Sequence, residues 1–459
     1  MCGIFGIYGH PHSKEILFTG LKSLQHRGQS GAGIAGLDFV GKQDSGLRVR
    51  VAKGPDKVDI MMLNQAEKIN GMPGQAFIGH VRWPTQGINV KHNIQPTWAP
   101  TTAGLLTIVS NGDLVDMAKQ RTFLQGEKTK LYTESDAEII VATVANNFIR
   151  SGKKDLLAAI KTAMSHIKGA YSAAMLAEFD RRMFVFRDPL GIRPLFLGKK
   201  DGYYCFASET CALNKIEAEI VREVKPGEIA AIGPTGIDSY QAIDSPEQRL
   251  CVFELIWLCR PDSYFKINGQ PHSFQAIRER MGRPLAQEFP HPDADVVIAA
   301  PKSGIPAAIG YHQASKIPFG AGIITEPHIG RTFLEVERAA SIKSKFHGLE
   351  TVKGKKVVVV DDSLVEGSNA TKICTELHRQ STKAIYFVFA SPPYRRPCFF
   401  GTATSSDWKT LMAVHKTPKE IAQEIGADHV GYLSFNGLFK AIGSSPDKFC
   451  HACFSGKYP

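Results

Sequence analysis

The sequence predicts an α+β first half, in which sheets are covered by helices, joined to an α/β second half built on a parallel sheet. Three observations carry this expectation. Short β-rich runs separated by turn residues fill the chain up to about residue 225. A stretch rich in Gly, Pro and polar residues follows at 225–249. Beyond it, continuous apolar strands alternate with helical segments. With 459 residues the chain has room for two or three domains, each with its own core.

In the first half, GIFGIYG at 3–9 and TTAGLLTIVSNG at 101–112 read as strands. GAYSAAMLAEF at 169–179, MFVFRD at 183–188 and GYYCFAS at 202–208 continue the pattern. DAEIIVATVANNFIRSG, led by Glu134-Ser135-Asp136, and DLLAAIKTAMSHIKG carry helical periodicity. The stretch at 225–249 suits a final strand pair and then a linker. In the second half, ADVVIAAP, KKVVVVDDS and AIYFVFASPP are apolar throughout, as expected of strands buried on both faces.

The formal net charge is +11, but the basic residues are dispersed apart from short runs such as KGKK at 353–356. No zinc-finger spacing or aromatic-basic motif accompanies them. The expectation is sites for phosphorylated small molecules and not a nucleic-acid surface. No apolar run reaches membrane-spanning length and no secretory leader opens the sequence, so a cytoplasmic location is expected. Nine cysteines, an odd number, argue against a disulfide framework and for core thiols, metal ligands or a nucleophile.

VVVVDDSLVEGSNATKICTEL runs from strand to acidic pair, glycine-bearing loop and helix. Ligands of parallel sheets sit beyond the carboxyl ends of strands, where Asp361 and Asp362 emerge. Gly367, Ser368 and Asn369 open the helix, where amides and hydroxyls at its positive end can surround a phosphate. The carboxylates would face ribose hydroxyls, directly or through a divalent metal. A lone strand, DD and loop would be read as an ordinary turn with a solvated acidic pair.

At the amino terminus, MCGIFGI places Cys2 directly behind Met1. A thiol attacks well only as the thiolate. Once Met1 leaves, the free α-amine, with a pKa near ~8, is the nearest base. A single cysteine in a strand would ordinarily be a core residue. Four further segments shift that balance: HRGQSGAGI at 26–34, GHVRWPTQG at 79–87, SNGDL at 110–114 and ESDAE at 134–138. Asn111 and Gly112, expected at a strand end, can stabilise an oxyanion. Arg82 can grip a carboxylate with two parallel hydrogen bonds and Asp136 an ammonium, which together recognise a free amino acid.

With both halves read, the chain resembles the glutamine phosphoribosylpyrophosphate (PRPP) amidotransferase family. The resemblance runs over essentially the whole length through MCGIFGI, HRGQ, GHVRW, SNG, ESDAE, RDPLGIRPL, ASET, CVFE, RPDS, SGIPAAIGY, GRTF, VVVVDDS and SSPDKFCHACFSGKYP. It implies an N-terminal-nucleophile αββα glutaminase domain over 2–240, followed over 241–459 by a type I phosphoribosyltransferase domain with a cysteine-bearing tail. Glutamine would form a thioester at Cys2, and the released ammonia would displace pyrophosphate from C1 of PRPP. The resemblance assigns PRPP binding to Lys302, Ser303 and Gly304, to Lys343 and Lys345, and to Asp361, Asp362, Ser363, Gly367, Ser368 and Asn369. Mg²⁺ would be held by Ser303, Asp361 and Asp362. Cys251, Cys398, Cys450 and Cys453 fall at the ligand positions of the family's iron–sulfur branch and imply a structural 4Fe–4S cluster. A homotetramer with purine nucleotides as feedback ligands is also implied.

Departures concentrate in the second half. Lys302 stands where the family has an acid. Glu366 replaces a cation beside the expected polyphosphate, and Coulomb repulsion there would oppose PRPP. The run LEVERAASIKSKFHG after GRTF is shorter than the family's closing loop. In the first half, SNGD replaces HNGN and HVRWPTQG replaces HVRYSTAG. Two alternatives follow from these departures: a paralogue that binds PRPP or purine nucleotides as a regulator, and a glutaminase serving another acceptor.

Overall fold

The computed structural model describes the chain except residues 1, 39–46, 73, 75, 85–89, 153–154, 245–246, 326–344 and 403–407. It divides into two compact units. One comprises Met1–Cys251 with the later segment Cys398–Ala403, and the other comprises Val252–Pro397 with Thr404–Pro459.

The first unit is built on two sheets. β1 (Gly3–Tyr8), β2 (Gly31–Leu37), β3 (Val49–Pro55) and β4 (Ala76–Arg82) lie in one. β5 (Thr97–Pro100), β6 (Leu105–Leu114), β7 (Gly169–Ala177) and β8 (Asp180–Arg187) lie in the other. β9 (Phe196–Lys200), β10 (Tyr203–Ala207) and β11 (Glu219–Glu223) return to the first sheet, and β12 (Glu228–Gly233) and β13 (Gly236–Gln241) complete the second. The strand orders are β11-β9-β10-β1-β4-β2-β3 and β13-β12-β8-β7-β6-β5.

Strand alternation explains the layering. Ile4, Tyr8 and Ile78 from the first sheet cluster with Val109, Ala174, Leu176 and Val185 from the second, so the sheets share one apolar interior. The opposite side of β1 presents Phe5 to the helix Ser13–Ser23. That helix approaches so closely that a Cβ on Gly20 would lie 2.6 Å from the Phe5 ring. The second sheet buries Ile108, Tyr171, Met175 and Phe184 against the helices Asp136–Arg150 and Leu156–His166. Burying each such large apolar side chain contributes about 1.5–3 kcal/mol. The result is helix, sheet, sheet, helix.

In the second unit, Val296–Ala299, Lys356–Asp361, Ala384–Phe389 and His429–Tyr432 form a parallel sheet in that order. Val357 and Val359 pack with Ile298, Phe387 and helix residues Ile373 and Leu377. The helices Phe274–Glu288 and Ile305–Ser315 meet backbone to backbone at two glycines. A Cβ on Gly282 would lie 2.0 Å from the Ala307 carbonyl oxygen, and one on Gly310 would lie 1.8 Å from that of Glu279. No helix among the described residues is long and apolar enough to cross a membrane.

Candidate active sites

β1 carries Cys2 at its entrance. Gly3 and Ile4 are paired with Val81 and His80 of β4, so Cys2 sits beside the strand that ends at Arg82. The Cys2 Sγ lies 3.5 Å from the Trp83 carbonyl oxygen. The Cys2 carbonyl accepts from Arg27 Nε at 2.9 Å, and Arg27 Nη1 is paired with Glu209 at 2.5 Å. His26 Nε2 lies 2.7 Å from the same carboxylate oxygen. Ser208 fixes Ile4 from both sides: its Oγ accepts from the Ile4 N–H and its own N–H donates to the Ile4 carbonyl, each at 3.0 Å. The HRGQ segment therefore holds the Cys2 backbone through Arg27. Burial pushes the Cys2 thiol up, while the amino terminus and Arg82 pull it down. A positive neighbour is needed to form the thiolate in so dry a place.

Arg82 is buried and donates through Nη1 to the Asn93 carbonyl. Gly28 lets the chain press on this strand end, since a Cβ there would lie 2.4 Å from the Arg82 carbonyl carbon. Asn93 and Glu134 exchange two hydrogen bonds of 2.9 Å, which join the Arg82 side of the site to the turn before the helix Asp136–Arg150. Lys53 holds the same loop, reaching the carbonyls of Ile94 at 2.5 Å and Pro96 at 3.0 Å.

Ser135 caps that helix by accepting from the Ala137 N–H, which places Asp136 in the first turn. Asp136 Oδ1 accepts the Ala137 N–H at 2.9 Å, and Oδ2 is buried with no partner among the described residues. Burial pushes the Asp136 carboxyl up to about 6, against backbone hydrogen bonds and the Arg82 charge. Both polar atoms of the Asn111 amide are also buried without a partner among the described residues. Leaving such groups unsatisfied costs about 1–3 kcal/mol each, a cost that a bound polar ligand removes.

The expectation that Asn111 and Gly112 end a strand is corrected. Both lie inside β6, which runs on to Leu114 opposite β7. An Asn-Gly pair ordinarily marks a turn. Gly112 instead serves inside the ladder, with φ at +147° and a position where a Cβ would lie 1.9 Å from the Ala170 carbonyl oxygen.

In the second unit the acidic pair leaves the strand Lys356–Asp361 as expected. Asp361 Oδ1 accepts from Ser303 Oγ at 3.3 Å and from the Asp362 N–H at 2.8 Å. Asp362 Oδ1 accepts from Ser363 Oγ at 2.6 Å. Burial first, and then the neighbouring Asp362 charge, hold the Asp361 carboxyl well above the usual range; burial raises Asp362 as well. Gly304 wedges the Lys302–Gly304 loop against this strand, for a Cβ there would lie 2.2 Å from the Val360 carbonyl oxygen. The structure thus brings Ser303 and Gly304 to Asp361 and Asp362, while Lys302 is exposed.

Gly367 precedes the helix Ser368–Arg379 with φ at +78°, and Ser368 and Asn369 are exposed at its first turn. Glu366 is exposed and lies 3.4 Å from Thr410 Oγ1, so solvent screens the charge that the sequence set against a polyphosphate. Lys343 and most of the short loop after Phe333 lie outside the described residues. Lys345 is described, with its ammonium 4.9 Å from the Phe346 ring centre.

No group of three or more His, Cys, Asp or Glu is arranged to hold a metal ion among the described residues. The nine cysteines are free of disulfides; Cys251 and Cys450 are buried, and Cys398 and Cys453 are half-buried.

Residues 80–215 match the family model of a glutamine amidotransferase domain. The chain is 37% identical to the amidophosphoribosyltransferase of Bacillus subtilis, an alignment covering 100% of this chain and 94% of that protein. It is 35% identical to the amidophosphoribosyltransferase of Archaeoglobus fulgidus, with 100% and 98% covered. Among solved structures, glutamine PRPP amidotransferase from B. subtilis, complexed with ADP and GMP, aligns with a TM-score of 0.89 at 37% identity, covering 100% of this chain and 97% of that one. A structure described as the allosteric regulatory enzyme of purine biosynthesis also has a TM-score of 0.89 at 37% identity, with 100% and 96% covered.

Proposed function

Because the chain belongs to the amidophosphoribosyltransferase family and is a glutamine-dependent PRPP amidotransferase of purine biosynthesis, we propose the residues that perform each half of that reaction. Its fold is the one expected: an N-terminal-nucleophile amidotransferase sandwich and a type I phosphoribosyltransferase. The regulator and other-acceptor alternatives are not favoured, since full-length relatives carry the transferase name.

The first unit carries the glutaminase. After Met1 is removed, the Cys2 α-amine takes the thiol proton and the thiolate attacks the glutamine side-chain carbonyl. Arg82 grips the α-carboxylate and Asp136 the α-ammonium. The Asn111 amide and the Gly112 N–H receive the oxyanion. The proton leaves with ammonia, and water then hydrolyses the thioester to glutamate. The observation that carries this reading is the set of buried polar atoms without partners, Asn111 Nδ2 and Oδ1 and Asp136 Oδ2, in the structure that also holds Cys2 in place.

The second unit holds PRPP. Ser303, Gly304, Ser363, Gly367, Ser368 and Asn369 offer donors to its phosphates, Asp361 and Asp362 face its ribose, and Lys302, Lys343 and Lys345 supply cations. Ammonia forms the bond to C1 as the bond to pyrophosphate breaks, giving 5-phosphoribosylamine. The carboxylate pair of half-buried Asp361 and buried Asp362 suits Mg²⁺, which when bound would neutralise the leaving pyrophosphate. Cys251, Cys398, Cys450 and Cys453 suit a 4Fe–4S cluster by donor chemistry; Phe253, Tyr394 and Phe454 pack together beside this set in sequence. The B. subtilis neighbour's complex with ADP and GMP supports purine nucleotides as feedback ligands. A homotetramer and a cytoplasmic location complete the reading.

The test uses anaerobically purified protein, with iron and sulfide measured alongside. Cys2→Ala should abolish glutamine-dependent pyrophosphate release and leave ammonia-dependent release intact. Retained glutamine-dependent turnover would remove Cys2 from the mechanism.

A further inference from the structure

The first unit includes six residues from far along the chain, Cys398–Ala403. Arg193, fully buried, clamps this segment: its Nε and Nη2 donate to the Phe400 carbonyl at 2.9 and 2.5 Å. The Arg193 carbonyl accepts from Ser172 Oγ at 3.0 Å, and Ser172 is the partner of Asn111 in the β6–β7 register. Next to the clamp, Gly401 has φ at +109°. A Cβ there would lie 3.1 Å from Arg193 Nη2, 3.1 Å from the carbonyl carbon of Gly112 and 3.3 Å from its Cα. Gly401 is therefore pressed against Gly112, leaving no room for one more methyl without displacement.

We propose that Phe400 and Gly401, clamped by Arg193, form a brace that positions the Gly112 N–H and the Asn111 amide for the oxyanion generated at Cys2. This rests on the reading of Asn111 and Gly112 as the oxyanion donors. A glycine at φ +147° within a strand has little conformational preference of its own to hold that pose. Oxyanion donors act only when they are fixed before charge develops. The brace supplies that fixity from the far part of the sequence. Arg193, Phe400 and Gly401 are positioning residues and contact the substrate in no step.

The test compares Gly401→Ala, Arg193→Met and Arg193→Lys with Asn111→Ala in full-length protein. Four readouts are taken: kcat and KM for glutamine hydrolysis, ammonia-dependent pyrophosphate release, and alkylation of Cys2 by iodoacetamide, which needs no oxyanion donor. Gly401→Ala and Arg193→Met should lower kcat about ten- to hundredfold with KM within about twofold, and Arg193→Lys should recover part of the loss. Ammonia-dependent release and alkylation should stay at the unsubstituted level. Should one variant fail to fold, the other two still decide. Wild-type kcat in the folded brace variants while Asn111→Ala is inactive would overturn the brace alone. Unchanged hydrolysis in Asn111→Ala would overturn the oxyanion reading beneath it. A rise in KM at constant kcat would also reject the brace, since it would mean altered glutamine binding.

Discussion

If Asp136 pairs with the substrate ammonium as proposed, one buried carboxylate ties recognition to pH. Burial holds its pKa at about 6, above the usual 3.8. Only the ionised form pairs with an ammonium, so glutamine binding weakens as pH falls through about 6. The expected profile is a kcat/KM for glutamine that drops about tenfold per pH unit below that value. Asp136→Asn should raise the glutamine KM about ten- to hundredfold at pH 8 and remove this inflection; an inflection that survives would assign it to another group. The sign for folding is opposite. A folded-state pKa above the unfolded one favours the folded state below 3.8, and that advantage is lost as pH rises through 6. At pH 8 Asp136→Asn should therefore melt no lower than the unsubstituted protein. Cys2, Arg82 and Asp136 could be singled out in the sequence as candidates because each sits in a short motif with its own chemistry. Glu209 could not, since it meets Arg27 across 182 residues, and neither could Asn93 and Lys53. Only the fold makes those pairs.

Elements were legible where one period dominates. The four valines of 357–360 announced a two-sided buried strand, and the helix at 136–150 was announced by its cap and apolar spacing. The end of β6 is hidden in the sequence because an Asn-Gly pair looks like a turn when its ladder partner is unknown. Helix-to-helix packing was likewise hidden, although it supports the proposed phosphate loop. The helix Ile305–Ser315 begins directly after Ser303 and Gly304, and it lies backbone to backbone on Phe274–Glu288. At Gly310 an added methyl would lie 1.8 Å from the Glu279 carbonyl oxygen, and backbone cannot yield as a side chain can. Gly310→Ala should cost about 1–3 kcal/mol in urea unfolding of the second unit and raise the KM for PRPP, with glutamine hydrolysis unchanged. A stability within about 0.5 kcal/mol of the unsubstituted protein would mean the two helices separate freely.

At the scale of the whole molecule, the change in rhythm near residues 225–249 suggests two bodies, and the structure divides at Cys251. What the rhythm could not give was the segment Cys398–Ala403, which belongs to the first unit though it lies late in the second half. Turn composition marks where a domain ends, and it carries no sign of a chain that returns. Each unit has its own apolar interior, Ile4, Val109 and Val185 in one, Val359, Ile373 and Phe387 in the other. Ligands of the two reactions should then stabilise different cores. Calorimetry on Cys2→Ala protein, which binds glutamine without turnover, separates them. PRPP with Mg²⁺ at a hundred times its Kd adds about 2.7 kcal/mol to the unit that binds it, a shift of roughly 5–10 °C for a body of this size. Glutamine should move the other transition and leave this one in place. If both ligands raise a single transition together, the units unfold as one body and the separation of their cores has no thermodynamic consequence.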